Sequence, residues 1–447
     1  MTTLTPLEPW IKGKIGLAAT ASLTRTILEE YQLRRLRETI KHARRSSPFY
    51  RQQLEGCGDP DSLADLACFP FTFPADIQQD ELRFLCVSRG EIERVVTLQS
   101  SGTTAAAKRL HFTSDDLELI VDFFQHGMST LVEPGDRVLI LMPGELPGSV
   151  GDLLVRGLKR MDVEGIVRWP VGEAGEVIAE IAARRISSIV ALPSQLLALV
   201  RHPDAAMLPP GCISSVLLSA DYVPDAVVRE IGRVWGALVF NHYGMTEMGL
   251  GGGLDCRALS GYHLREADLY FEIVDPVDGR PLPDGESGEV VFTTLSRRGM
   301  PLIRYRTGDL AAFLPQPCPC GTVLRRLGHV RGRLAGRVHV GGGYWLESPE
   351  FDEALYGIPG LLNYRAEVTE EEGRALLAIT LHLGHNNENN AQCMAHAALE
   401  GIPALRAAVT SGCLGLGEIR TTCEGLPPSG VAKKIIHDLR NGGTRQC

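Results

Sequence analysis

A chain of 447 residues exceeds one ordinary hydrophobic core and points to two or three domains, with 44% apolar residues to fill them. The net charge of −9 and isoelectric point near 5.8 exclude the basic footprint of a nucleic-acid or anionic-membrane binder, so any polyanionic ligand must be held by a local patch. No apolar run reaches the length of about eighteen residues that a membrane helix needs, and residues 1–20 carry Pro6, Glu8, Pro9 and two lysines rather than a signal-peptide core; a soluble, cytoplasmic protein is expected. Eleven cysteines, an odd number without a secretory signal, argue against a disulfide framework and for metal binding or burial.

Residues 23–45 alternate Leu, Ile and Tyr with Arg and Glu at helical spacing, and Ser47-Pro48-Phe49-Tyr50-Arg51 breaks that helix. Phe69–Asp76 is a proline-punctuated entry into a short helix. A plausible strand, Val95–Leu98, then leads into Ser100-Ser101-Gly102-Thr103-Thr104, where a glycine among hydroxylated residues permits a turn whose backbone N–H groups converge on an anion. Lys108 and Arg109 follow as cations for a polyphosphate. The Walker spacing is absent, because no Gly-Lys-Ser/Thr closes the loop, and the segment alone reads more simply as a polar connection.

From 113 to 250 helical stretches alternate with short apolar, β-branched runs: Val138–Met142, Gly165–Trp169, Ile189–Leu192, Ser215–Leu218 and Leu238–Phe240. That alternation predicts an α/β fold with a parallel sheet covered by helices, whose ligands collect beyond the carboxyl ends of the strands. A β region with a hairpin is predicted around Leu269–Val274 and Gly288–Thr294. After Arg333 a glycine-rich stretch, Gly336 and Gly341–Gly343, reads as a hinge, and the remainder reads as helix, hairpin, helix and tail, enough for a small α+β domain. The expected division is 1–334 and 335–447.

Three polar stretches carry chemistry. Asn241–Glu247 follows a strand-like run and offers an aromatic face, a hydroxyl and a carboxylate, the set that a flat base, a phosphate oxygen and Mg2+ require. Pro301–Asp309 places a carboxylate after a turn, suited to two ribose hydroxyls. Gly328–Arg333 supplies cations before the hinge. Each has a bland alternative as a buried tyrosine, a capped turn or a solvated charge run.

Taken together and in this order, Ser47–Arg51, Phe69–Asp76, Ser100–Thr104, Tyr243–Glu247, Ile303–Asp309 and Gly332-Arg333 resemble the adenylate-forming enzymes that activate carboxylates with ATP, and among them the phenylacetate–coenzyme A ligase branch. The resemblance implies a large N-terminal AMP-binding domain, a small mobile C-terminal domain, and two half-reactions, adenylate formation and acyl transfer to coenzyme A. It implies that Ser100, Ser101, Gly102, Thr103 and Thr104 hold pyrophosphate and that Tyr243 stacks on adenine, with Gly244 beside it; Lys108 is the candidate cation next to the loop, off the branch's lysine position. Thr246 would contact the α-phosphate and Glu247 would hold Mg2+. Asp309 would accept the ribose hydroxyls, with Arg333 nearby. Such chemistry needs charge neutralisation and in-line positioning more than acid–base catalysis.

Spacing alone does not identify Cys256, His263, Cys318 and Cys320 as a zinc site. The resemblance adds to the spacing, since enzymes of this branch look similar around both segments and can carry a metal there; if the β region folds the segments together, four ligands would close a structural Zn2+ site. The alternative is four unrelated residues in a reducing compartment. A homodimer is the default of the branch.

The departures fall at catalytic positions. Ala105-Ala106-Ala107 stands where the branch continues Gly-Lys, leaving Lys108 displaced by two, and Leu334-Ala335-Gly336 replaces the usual Asp pair of the hinge. In Leu426–Lys434, which resembles the segment presenting the adenylation lysine, that position is Val431, so Lys433 and Lys434 become the candidates. Acyl transfer to an amine or carrier, or nucleotide binding without catalysis, are therefore the alternatives to coenzyme A ligation. Phe123, Phe124, Trp169 and Ser219–Val223 are the candidates for lining the acid pocket, although core packing explains the aromatics equally well.

Overall fold

The computed structural model describes residues 3–18, 20–98, 107–371, 373–384, 390–423 and 436–440. The chain forms two compact units, the first comprising Met1–Asp136, Pro143–Val167 and Phe240–Val330, the second Arg137–Met142, Arg168–Val239 and Arg331–Cys447. No described helix is long and apolar enough to cross a membrane.

In the first unit the predicted N-terminal helix spans Arg25–Ser46 and is capped by Thr24, whose hydroxyl accepts from the Ile27 N–H at 3.3 Å. Pro48 cannot continue it; Ser47 instead caps a second helix, Pro48–Gln53. Strands Ile92–Leu98 and Lys108–Thr113 pair antiparallel, with Leu98 opposite Lys108. A capping box of Thr113 and Asp116 then starts helix Ser114–Met128. The β region is the expected antiparallel arrangement, in which Gly288–Thr294 lies between Leu269–Val274 and Tyr305–Ala311.

The Phe69–Asp76 stretch owes its proline-punctuated shape to a buried anchor. Arg304, with a left-handed φ of +48°, donates to the carbonyls of Ala67 (2.8 Å) and Phe69 (2.7 Å) and to Glu272 (2.9 Å). Its guanidinium lies 4.0 Å from the centre of the Phe71 ring. Thr72 and Tyr50 complete the clasp through the backbone of Ile303. Breaking one partner of such a buried pair strands the other charge, so Arg304→Met is expected to lower unfolding free energy by about 3–5 kcal/mol, read from urea denaturation.

The second unit contains the parallel core that the sequence predicts. Arg137–Ile140, Ser188–Ala191 and Ser215–Leu218 pair parallel, with Ile189 opposite both Leu139 and Val216. Helices Ala174–Arg184, Pro193–Val200 and Asp225–Trp235 belong to the same unit. Further along, Gly341–Gly343 forms the turn of a small hairpin between Val338–His339 and Trp345–Leu346 rather than an open hinge. Beyond helix Ser348–Leu355, a four-stranded sheet is ordered Leu414–Thr422, Arg374–Leu383, Leu361–Glu371, His437–Asp438. Leu414–Thr422 is a strand that the expected order of helix, hairpin, helix and tail lacks; Gly415 and Gly417 dilute its strand pattern, and pairing with Arg374–Leu383 supplies what local preference lacks. Arg201 grips this region by donating to the carbonyls of Tyr356 and Leu361, and the Tyr222 hydroxyl donates to Glu353 at 2.7 Å. Those contacts place residues 331–447 in one compact unit with residues 168–239.

Candidate active site

Strand periodicity sends Lys108 and Arg109 to opposite faces, so the reading of both as cations for one anion is corrected. Arg109 pairs on the surface with Glu81 at 3.1 Å, whereas Lys108 turns inward. Its ammonium donates to Glu247 Oε1 and, at 3.0 Å, to the Tyr305 hydroxyl, which itself donates to the same Oε1 at 3.1 Å. Lys108 and Glu247 side chains are only 13% and 3% exposed, so their attraction is little screened by solvent. Arg297 backs the junction by donating to the Glu247 carbonyl (2.9 Å) and to that of His111 (3.1 Å). Asp116 in turn holds the backbone N–H groups of Arg298 and Gly299. Tyr305 and Arg297 have no assigned role in the sequence reading, because Tyr305 stands between Arg304 and Arg306 in a stretch whose carboxylate Asp309 draws the reading, and an arginine after a strand reads as surface.

The strand predicted to end at Phe240 runs through Leu238–Tyr243, and Asp309 lies within Tyr305–Ala311 rather than after a turn. Hydrogen bonding explains both extensions. Tyr243 pairs with Gly253, while the left-handed Gly308, at φ +74°, donates to Glu289 beside a register shift in the sheet. The result is a buried contact in which the Tyr243 hydroxyl donates to Asp309 Oδ2 at 3.1 Å. Gly244 admits no side chain, because a Cβ there would sit 2.4 Å from the Leu250 carbonyl oxygen. Thr246 opens the short turn Thr246–Met248 that carries Glu247. Phe123 lies against Gly251 and 6.2 Å from the His242 ring, and Phe124 is its neighbour in the first unit. Trp169, Ser219–Val223 and Arg333 belong to the second. Ser100–Thr104 and the Val431, Lys433 and Lys434 positions lie outside the described residues.

Burial pushes the His242 imidazole down to about 4. The unfolded chain therefore binds the extra proton between about pH 6.5 and 4, and stability contributed by this group is complete above that window and falls as pH drops through it. His242→Gln is expected to flatten the acid limb of a urea-midpoint-against-pH curve.

Cys256, His263, Cys318 and Cys320 converge as expected, all buried, with their donor atoms within 4.8 Å of one another. Cys256 and Cys318 sulfurs are 3.6 Å apart, and Cys320 Sγ is 3.5 Å from His263 Nε2. A tetrahedral zinc with bonds of about 2.3 Å to sulfur has edges of roughly 3.8 Å, so the donor set fits that ion. Burial, then the neighbouring Cys320 and Cys318, push the Cys256 thiol up to about 12, while burial and Arg326 lower His263 to about 4. A cation there would reverse the thiol shift. Arg326 joins the two halves of the cluster, donating to Ser260 (carbonyl at 2.6 Å) and to the carbonyls of Gln316 (2.6 Å) and Pro317 (3.2 Å). Every described cysteine is a free thiol.

A family model for AMP-binding enzymes matches residues 89–296. The phenylacetate-coenzyme A ligase of Pseudomonas putida is 32% identical over 319 residues, which span 68% of this chain and 70% of that one. The chain belongs to the phenylacetate–coenzyme A ligase-like branch of the adenylate-forming enzymes. The corresponding ligase of Thermus thermophilus is 29% identical over 368 residues, covering 79% of this chain and 80% of that one. The adenylate-forming fold is also shared with a 2-hydroxyisobutyryl-CoA ligase solved in its postadenylation state, at 20% identity and a TM-score of 0.77, over 93% of this chain and 91% of that one.

Proposed function

We propose that the protein activates a carboxylic acid with ATP and transfers the acyl group to coenzyme A. The observation that carries this reading is the buried junction of Lys108, Glu247 and Tyr305, drawn from segments 139 and 197 residues apart onto one carboxylate oxygen. In the first half-reaction a carboxylate oxygen bonds to the α-phosphorus of ATP and the bond to pyrophosphate breaks. In the second the coenzyme A thiol attacks the acyl carbon, AMP leaves with the carboxylate oxygen, and the thiol proton passes to solvent. Lys108 supplies positive charge near the phosphates, Tyr305 and Arg297 fix Glu247, and Tyr243 with Asp309 receives the nucleoside. Both contacts to Glu247 fall on Oε1, so the residue suits Mg2+, which takes one or two carboxylates and completes its shell with phosphates and water. Bound Mg2+ would neutralise charge on the leaving pyrophosphate.

Ser100–Thr104 is the pyrophosphate loop in this reading, Thr246 contacts the α-phosphate, and Lys433 or Lys434 serves in place of Val431. Arg333 assists the nucleotide. Residues 335–447 form the mobile small domain of the reading, and their rotation would break the grips of Arg201 and of Tyr222 on Glu353. A structural zinc completes the protein, and a homodimer is the assembly to test by light scattering.

Ala106 and Val431 stand where the branch carries lysines and favour a second reading, nucleotide binding without turnover. Pyrophosphate release measured with a panel of aromatic and aliphatic acids, with and without coenzyme A, separates the two. Acid-dependent release is expected, with a thioester appearing when coenzyme A is added. No ATP turnover with any acid at high enzyme concentration overturns ligation.

A further inference from the structure

The thiol–imidazole cluster and the nucleotide residues share one antiparallel ribbon. In its register Tyr243 pairs with Gly253, Leu254 with both His242 and His263, and Tyr262 with both Asp255 and Leu327. Two of the four cluster residues are therefore sequence neighbours of residues that touch the Leu238–Tyr243 strand. Tyr262, next to His263, stacks on the Tyr243 ring with centroids 5.6 Å apart and planes at 28°. Asp255, next to Cys256, accepts the backbone N–H of Asn241 at 2.9 Å through one oxygen and contacts His329 Nε2 at 2.9 Å through the other. The His329 ring in turn lies 4.9 Å from that of Tyr262.

We propose that the metal cluster is a positioning element of the nucleotide site: zinc bound by Cys256, His263, Cys318 and Cys320 fixes Tyr262 and Asp255, which fix Tyr243 for stacking on adenine, so nucleotide affinity depends on metal occupancy. The inference rests on the reading of Tyr243 as the adenine platform. Its physical basis is the shortness of the strands involved. Gly253–Asp255 and Tyr262–Leu264 have three residues each and Arg326–Leu327 has two, so few ladder bonds hold them. Closing the Cys256–His263 and Cys318–Cys320 segments on one ion restrains at once Tyr262, which stacks on Tyr243, and Asp255, which holds the backbone of Asn241 in the same strand. Arg326 also spans those segments, donating to the carbonyl of Ser260 on one side and to those of Gln316 and Pro317 on the other. Tyr262 and Asp255 are thus positioning residues: they act on the nucleotide through Tyr243 and Asn241.

The test uses the full chain as purified, with zinc counted by mass spectrometry and AMP affinity measured by calorimetry. About one zinc per chain is expected. Chelation should weaken AMP binding about tenfold, the order of one base–aromatic stack, and added zinc should restore it. Tyr262→Leu should keep its zinc, show the same loss and gain no further loss on chelation, whereas Tyr262→Phe, which retains the ring, should behave as the parent. This arm stands even if chelation unfolds the protein. Absence of zinc, an unchanged AMP dissociation constant after zinc removal from a still-folded chain, or a Tyr262→Leu protein that binds AMP like the parent would overturn the inference alone. Failure of the zinc-loaded protein to bind AMP would overturn it together with the nucleotide reading.

Discussion

Glu247→Gln is expected to slow acid-dependent pyrophosphate release by about 100-fold or more while changing AMP affinity by less than about threefold. The substitution preserves shape and the acceptor for the Tyr305 hydroxyl but deletes the charge that faces Lys108. In the proposed reading that charge would hold the Mg2+ that neutralises the leaving pyrophosphate, and AMP alone, which lacks the leaving group, needs it much less. Lys108 is then left cationic and largely buried without its carboxylate partner, so the variant should also melt lower. The double variant Glu247→Gln, Lys108→Met separates the two consequences. It should recover part of the lost stability, because no charge is stranded, and recover none of the rate. Stopped-flow pyrophosphate detection and thermal melts on the parent and the two variants give both readouts.

Asp309→Ala is expected to weaken AMP binding by about 100-fold, measured by calorimetry. Two charge-assisted hydrogen bonds to ribose hydroxyls account for that scale in the proposed reading. The fully buried Asp309 also accepts the Tyr243 hydroxyl, so its loss removes a buried hydrogen bond and loosens the ring on which the base is proposed to rest. Tyr243→Phe removes that donor but keeps the ring. Combined with Asp309→Ala it should bind AMP no worse than Asp309→Ala alone, whereas additive losses would mean that the two residues contact the nucleotide independently.

Much of the architecture is legible in the sequence because it rests on local pattern. Ile189–Leu192 and Ser215–Leu218 announce themselves as buried parallel strands by apolar, β-branched runs between helical stretches, and they pair as such. Leu414–Thr422 does not, since its two glycines and Glu418 hide a strand that its neighbour imposes. The polar groups divide the same way. Tyr243 and Asp309 can be picked out as motif residues, but their hydrogen bond spans 66 positions and no local rule reveals it. Lys108 and Arg109 are indistinguishable as letters; only strand pairing from Leu98 onward decides that one points at Glu247 and the other at Glu81. The spacing of Cys256, His263, Cys318 and Cys320 is likewise unreadable until the ribbon brings the four together.

In the proposed function the Lys108–Glu247–Tyr305 junction belongs to a working adenylation site. The most direct measurement is pyrophosphate release from ATP with a carboxylate panel in the absence of coenzyme A, followed by mass-spectrometric detection of the thioester once coenzyme A is added. Acid-dependent release that Glu247→Gln slows by about 100-fold or more is expected, with an acyl-CoA product from the same acid. Release of pyrophosphate by Glu247→Gln at the parent's rate would contradict that role of the junction.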